Sequence, residues 1–140
     1  MIVARILPVP LPIQEEMKRD LDLLRKILLE IESWSDASQA RRVDIEGYSQ
    51  GAINYHAYLL YEAKYIEASV LKSQAGDTIV PIHLTGSGHE FLDEARDTTI
   101  WGKAKMVAEK AGASSLAVFR PILVKVAASE AERALNAWIG

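Results

Sequence analysis

The spacing of apolar residues divides the chain into helical and alternating stretches. From Met17 to Ser33, Leu21, Leu24, Leu28 and Ile31 recur at intervals of three and four. Lys18, Arg19, Asp22, Arg25, Lys26 and Glu32 fall mostly elsewhere on the wheel, so an amphipathic helix is expected. The stretch SWSDASQA that follows has small polar residues and no apolar period, which marks a loop. Val43 and Ile45 then alternate with Asp44 and Glu46 ahead of Gly47, the pattern of a short strand. Ser49 suits the N-cap of a second helix reaching about Ala63, with Ile53, His56, Leu60 and Ala63 on its inner face.

Past Ala63 the period changes to two. Ile66, Ala68 and Val70 alternate with polar residues, Gln74-Ala75-Gly76-Asp77 supplies turn chemistry, and Val80, Ile82 and Leu84 alternate on the return. A β-hairpin results. Pro81 has no N–H for a ladder, so its nitrogen should face an open sheet edge. Ser87 and Glu90 fit a capping box for a short helix to about Arg96, with Phe91, Leu92 and Ala95 inward. Asp97 or Thr98 can cap another helix over Thr99–Ala111, closed by Gly112. A last helix is expected from Ser114, with Leu116, Phe119, Leu123 and Val126 inward and a restart at Ser129, where Glu132 offers a second capping box. Pro121 is compatible with this helix near its first turn or as a kink.

The order helix, short strand, helix, hairpin, helix is that of a winged helix-turn-helix-like domain, α+β and mostly helical, whose hairpin is the wing. Three blocks carry a resemblance as well: MKRDLDLLRKILLEIE at 17–32, GYSQGAINYHAYLLYEAKYIEA at 47–68 and PIHLTGSGHEFLDEARDTTIWGKAK at 81–105. In this order they closely resemble an uncharacterised family of phages, prophages and bacteria, domain of unknown function 2513. The resemblance spans about Met17 to Gly112 and implies a winged-helix-like fold without a settled biochemical activity. In INYHAYLLYEAKYIEA, Lys64 stands where similar winged-helix proteins usually have glycine, so a left-handed lysine is expected, or a different helix end. The expected organisation is a flexible Pro-rich leader at 1–16, a winged-helix domain at 17–97 and a C-terminal helical extension at 98–140.

Composition narrows the function classes. The 140 residues are 49% hydrophobic and 25% charged, ordinary for one soluble domain. With no cysteine, disulfide frameworks, thiolate metal sites and cysteine nucleophiles are excluded. No apolar run approaches the roughly 20 residues of a membrane helix, and a cytoplasmic setting is expected. The net charge of -3 gives the whole molecule no general attraction for nucleic acid.

No enzyme motif emerges. Thr85-Gly86-Ser87-Gly88 lacks the third glycine of a dinucleotide loop and the Gly-Lys-Ser/Thr of a P-loop. His56, His83 and His89 do not have metal-ligand spacing, no Gly-x-Ser-x-Gly elbow occurs, and no cofactor is implied. The fold itself points to nucleic acid. Gln50, Asn54, Tyr55 and Tyr58 would face outward from the second helix, offering amides for adenine edges and rings for stacking, with Lys72 on the hairpin and Arg41 and Arg42 before the helix. Between Ser49 and Lys72, however, two lysines are balanced by two glutamates. Duplex DNA is nevertheless the first expected partner, in a transcription-regulator-like role. The alternative, favoured by the tyrosine-rich, uncharged face, is a host protein, as for a phage accessory factor that binds and inhibits a host defence protein. Leu135 and Trp138 on the last helix are candidate contacts of a homodimer.

Overall fold

The computed structural model describes residues 18–113 and 115–139, so the expected leader at 1–16 lies outside the described residues. Among the described residues the architecture is mostly helical α+β, with five helices and a two-stranded antiparallel hairpin. In chain order these are α1 (Leu21–Glu32), α2 (Gln50–Glu62), β1 (Ile66–Leu71), β2 (Thr78–Leu84), α3 (Gly86–Ala95), α4 (Thr98–Ala111) and α5 (Leu116–Ile139). They form two compact units, one ending at Gly88 and one beginning at His89.

In the first unit, α1 packs on α2 and β2, and α2 also packs on β1. Leu23, Leu24, Ile27 and Leu28 of α1 are fully buried against an inner face of α2 made by Ile53, His56, Ala57 and Leu60. Asp20 starts α1, its carboxylate accepting from the Leu23 N–H at 3.2 Å. Its own backbone N–H donates to His56 Nε2 at 2.8 Å. An accepting Nε2 leaves the ring proton on Nδ1, which donates to the Ala52 carbonyl at 2.7 Å. His56 is thus a satisfied core histidine that ties α2 to the cap of α1.

Residues 33–49 contain neither the expected strand at Val43–Glu46 nor a helix. Two features of β2 prevent the strand: the Ile79 N–H that would face Val43 is taken by the Asn54 side chain, and Pro81 has no N–H. The Arg41 N–H donates to the Pro81 carbonyl at 2.9 Å, but proline has no N–H to return, so one bond forms where a ladder needs reciprocal pairs. The Pro81 nitrogen faces away from β1, as expected, yet the edge is covered and the ring is buried. The segment is held by side chains instead: Val43 is 3% exposed, Arg41 lies 5.1 Å from the Trp34 ring centroid, and Lys26 lies 5.4 Å from that of Tyr48.

The hairpin corrects a second expectation. Ile79, Pro81 and Leu84 are the buried residues of β2, not the series Val80, Ile82 and Leu84. The register runs from Leu71 opposite Thr78 to Ala68 opposite Pro81, then shifts so that Glu67 faces His83. Ile82 is left as the extra residue of a bulge, which reverses the inward phase between Pro81 and Leu84.

The junction of α2 with the hairpin is a tight knot of backbone groups. Lys64 has φ 68, the left-handed conformation that was one of its two expected outcomes. The Lys64 N–H donates to Tyr61 O and the Tyr65 N–H to Leu60 O, at 3.0 and 2.9 Å. This is a Schellman ending with lysine in the glycine position. The Thr85 hydroxyl donates to the Lys64 carbonyl at 2.7 Å and its N–H to the Tyr65 carbonyl at 3.0 Å. Its Oγ1 also accepts from the Gly88 N–H, so Thr85 caps α3 and the helix starts ahead of the expected Ser87 box. A Cβ on Gly88 would collide with the Tyr65 carbonyl oxygen.

In the second unit, Trp101 of α4 meets Phe91 and Phe119 edge-on, with ring centroids 6.3 and 5.2 Å apart. Arg120 lies over Phe91 and bonds Glu94 at 3.0 Å. Asp97 caps α4 by accepting from the Thr99 and Ile100 N–H groups, and Gly112 closes it with φ 68. α5 packs on α4 through Leu116, Phe119 and Leu123, and runs unbroken through Pro121 and Ser129 rather than restarting. Ser129 lies in its interior, with neighbouring Glu130 bonded to Lys103 at 3.0 Å.

Two substitutions at the junction should move stability in opposite directions, read by thermal or denaturant unfolding. Lys64→Gly is expected to stabilise by about 1 kcal/mol, since only the left-handed strain is removed. Gly88→Ala is expected to destabilise by about 3 kcal/mol or more, because the clash is with backbone.

Candidate functional site

A groove of about 630 Å³ lies in the first unit beside α2. Ile53 and Ala57 of α2, Ile79 and Pro81 of β2 and Val43 form its nearly closed floor, and Val80 and Leu71 are the apolar side chains that reach its open surface. Arg42, Gln50, Asn54 and Thr78 add polar atoms to the lining.

The polar side chains of the α2 face are largely engaged within the unit. Asn54 Nδ2 donates to the Asp77 carbonyl at 3.0 Å, and its Oδ1 accepts from the Ile79 N–H at 2.8 Å. Both halves of the amide therefore clamp the helix to the start of β2. Gln50 Nε2 reaches Asp44 Oδ1 at 3.3 Å and the Val43 carbonyl at 3.5 Å, looser tethers on an exposed residue. Tyr55 is half-buried, its ring edge-on to His56 with centroids 5.5 Å apart. Tyr58 is 43% exposed and donates to Glu62 Oε2 at 3.0 Å, a bond that holds its phenol above the usual tyrosine range.

The cations are dispersed. Lys72 pairs with Asp77 across the hairpin at 3.3 Å, with both side chains well exposed, where such a pair is worth little. Arg41 is exposed and lies over the Trp34 ring, while Arg42 lines the groove. The structure thus brings Gln50, Asn54 and Arg42 to one surface. Leu135 and Trp138 lie in the second unit, 55% and 84% exposed.

The apolar walls contain residues that the sequence did not single out as a site. Ile79 and Pro81 line the groove because of the bulge, which alternation alone does not reveal. Leu71 was the available signal: an apolar residue at the end of a strand, next to turn chemistry, and 58% exposed. Among the described residues no three His, Asp or Glu side chains gather as a metal site, and no helix is long and apolar enough to cross a membrane.

Asn54→Ala should cost about 1–2 kcal/mol, because the Ile79 N–H and Asp77 carbonyl lose their partners together. Amide exchange at Ile79 should speed up more than at Ile66, where the other end of the hairpin is untouched.

No solved structure matches the chain. A protein of Haemophilus influenzae (strain ATCC 51907 / DSM 11121 / KW20 / Rd), named as an uncharacterized protein, is 39% identical over 90 residues, covering 64% of this chain and 76% of that protein. The family model described as "Hypothetical protein (DUF2513)" matches residues 18–114, from just ahead of α1 to the loop beyond α4, and the chain belongs to that family.

Proposed function

We propose that this chain is a protein-interaction module, a winged-helix variant in a protein of phage or prophage origin, that takes an extended and largely apolar segment of a host protein into the groove beside α2. One observation carries the reading. The groove walls are apolar, while the amide best placed to read a base edge, Asn54, is bound at both ends to the hairpin backbone. Contact with an adenine edge would have to replace two hydrogen bonds at 3.0 and 2.8 Å. The outward positions of α2 that were candidates for reading, Gln50, Asn54, Tyr55 and Tyr58, include no cation, although phosphate contacts normally supply much of duplex affinity. An apolar groove with few polar groups suits a peptide better than a phosphate backbone. The phage setting implied by the sequence resemblance makes a host protein the natural partner class, in the cytoplasm, with binding rather than catalysis as the role.

A second reading, a duplex-DNA-binding regulator, rests on a different observation. Arg42 lines the same groove, Arg41 precedes it, and Lys72 stands on the hairpin, so a weak cationic rim surrounds the α2 face. One experiment separates the two. The tagged protein is used for capture from host lysate with and without nuclease, beside salt-dependent anisotropy with labelled duplex DNA. A specific protein retained after nuclease and lost with Leu71→Asp is the expected result. Salt-steep duplex binding abolished by Arg41→Glu with Arg42→Glu, and indifferent to Leu71→Asp, would replace the first reading by the second.

A further inference from the structure

The face of α5 opposite its packed side is apolar along its whole length. Leu116, Phe119 and Leu123 are buried against the rest of the unit, while positions 117, 121, 124, 128, 131, 135 and 138 are all exposed. These seven are Ala, Pro, Val, Ala, Ala, Leu and Trp, spaced alternately by four and three residues with no charge among them. That is the period of a coiled-coil seam rather than of a solvated face. Residues 131–139 are moreover exposed on every side. This end of the 24-residue helix gains no stability from packing within the unit.

We propose that α5 pairs with α5 of a second copy of this chain, antiparallel, with the two-fold axis passing between residues 129 and 130. The seam fits its own reversal. In that register Trp138 lies on Pro121 of the other copy, Leu135 on Val124, and Ala131 on Ala128, so the largest side chains sit at the ends and the smallest at the axis. Small central residues let the two backbones approach closely, and the fit repeats on both sides of the axis as an isologous interface requires.

The row flanking the seam, 118, 125, 132 and 139, is Val, Lys, Glu and Ile. Antiparallel helices bring this row against its own copy, so Val118 meets Ile139 and Lys125 meets Glu132, each pair occurring twice. Val118 and Ile139 are 53% and 65% exposed in the single chain. A parallel pairing would instead set Lys125 and Glu132 beside the opposite flank, which carries Ala127 and Ala134. Charge complementarity therefore selects both the partner and its direction.

The chain has no cysteine, so introduced thiols report the register cleanly. Sedimentation equilibrium of the full chain should show a dimer. Lys125→Glu should raise its dissociation constant by about tenfold or more, and the double exchange Lys125→Glu with Glu132→Lys should restore it, since both side chains are exposed and the fold is unaffected. Under mild oxidation a mixture of Val124→Cys and Leu135→Cys chains should form the mixed disulfide, with neither linking efficiently to itself. A monomer at all concentrations, charge reversal without effect, or self-linking of Leu135→Cys in preference to the mixed product would each overturn the proposal.

Discussion

The side-chain amide of Asn54 sets the geometry on which the first unit's surface depends. A helix packed on a two-stranded hairpin has no ladder bond between them, and apolar contact alone leaves the helix free to slide. Asn54 removes that freedom by presenting a donor and an acceptor, three bonds from its Cα, to two backbone groups flanking Thr78. Aspartate would lack the donor for the Asp77 carbonyl, and leucine would lack both groups. With the helix pinned there, buried Ile53 and Ala57 pack toward buried Ile79 and Pro81 as a closed floor, and the groove lies over it between Leu71, Val80, Arg42 and Gln50.

The other end of the hairpin is held by a different device. Thr85 uses its N–H, its hydroxyl hydrogen and its hydroxyl oxygen on three backbone groups, at Tyr65, Lys64 and Gly88. The end of α2, the closing of β2 and the start of α3 are thereby bound into one turn. This accounts for the tolerance of a left-handed lysine. α4 ends with the same pair of hydrogen bonds at Gly112, where no such cost arises. At Lys64 the strain of about 1 kcal/mol is set against a hydrogen-bonded turn that fixes its carbonyl.

Much of this was legible in the sequence, and the misses have physical causes. Ser49 and Asp97 announced their helices because a cap is a local hydrogen bond that requires no tertiary information. His56 was legible as a core position from spacing, but not its bond to the Asp20 N–H, which joins residues 36 apart in sequence. The strand expected at Val43 failed although its alternation was real, because ladder formation belongs to the partner strand, and that strand has Pro81 opposite Arg41 and an Ile79 N–H already bound to Asn54. The phase of β2 failed for a similar reason: a bulge is a property of two strands together. Ser87 with Glu90 made a good capping box on paper, and Thr85 displaced it because its hydroxyl also had the Lys64 carbonyl to satisfy. On the α2 face, Gln50 and Tyr58 are exposed while Asn54 and Tyr55 are half-buried, and the engagement of Asn54 and the apolar lining from β2 are consequences of long-range packing.

The two surfaces draw on different parts of the chain. Every residue lining the groove precedes Ile82, and every residue of the proposed seam follows Ser115. Pairing through α5 therefore uses no groove residue, and a two-fold dimer carries two grooves. The proposed pairing also accords with the division of chemistry along the sequence. The charges that hold the second unit together, Glu94 with Arg120 and Glu130 with Lys103, are turned to its packed side. The seam of α5 is thereby left free of charge, as a helix–helix contact in water requires.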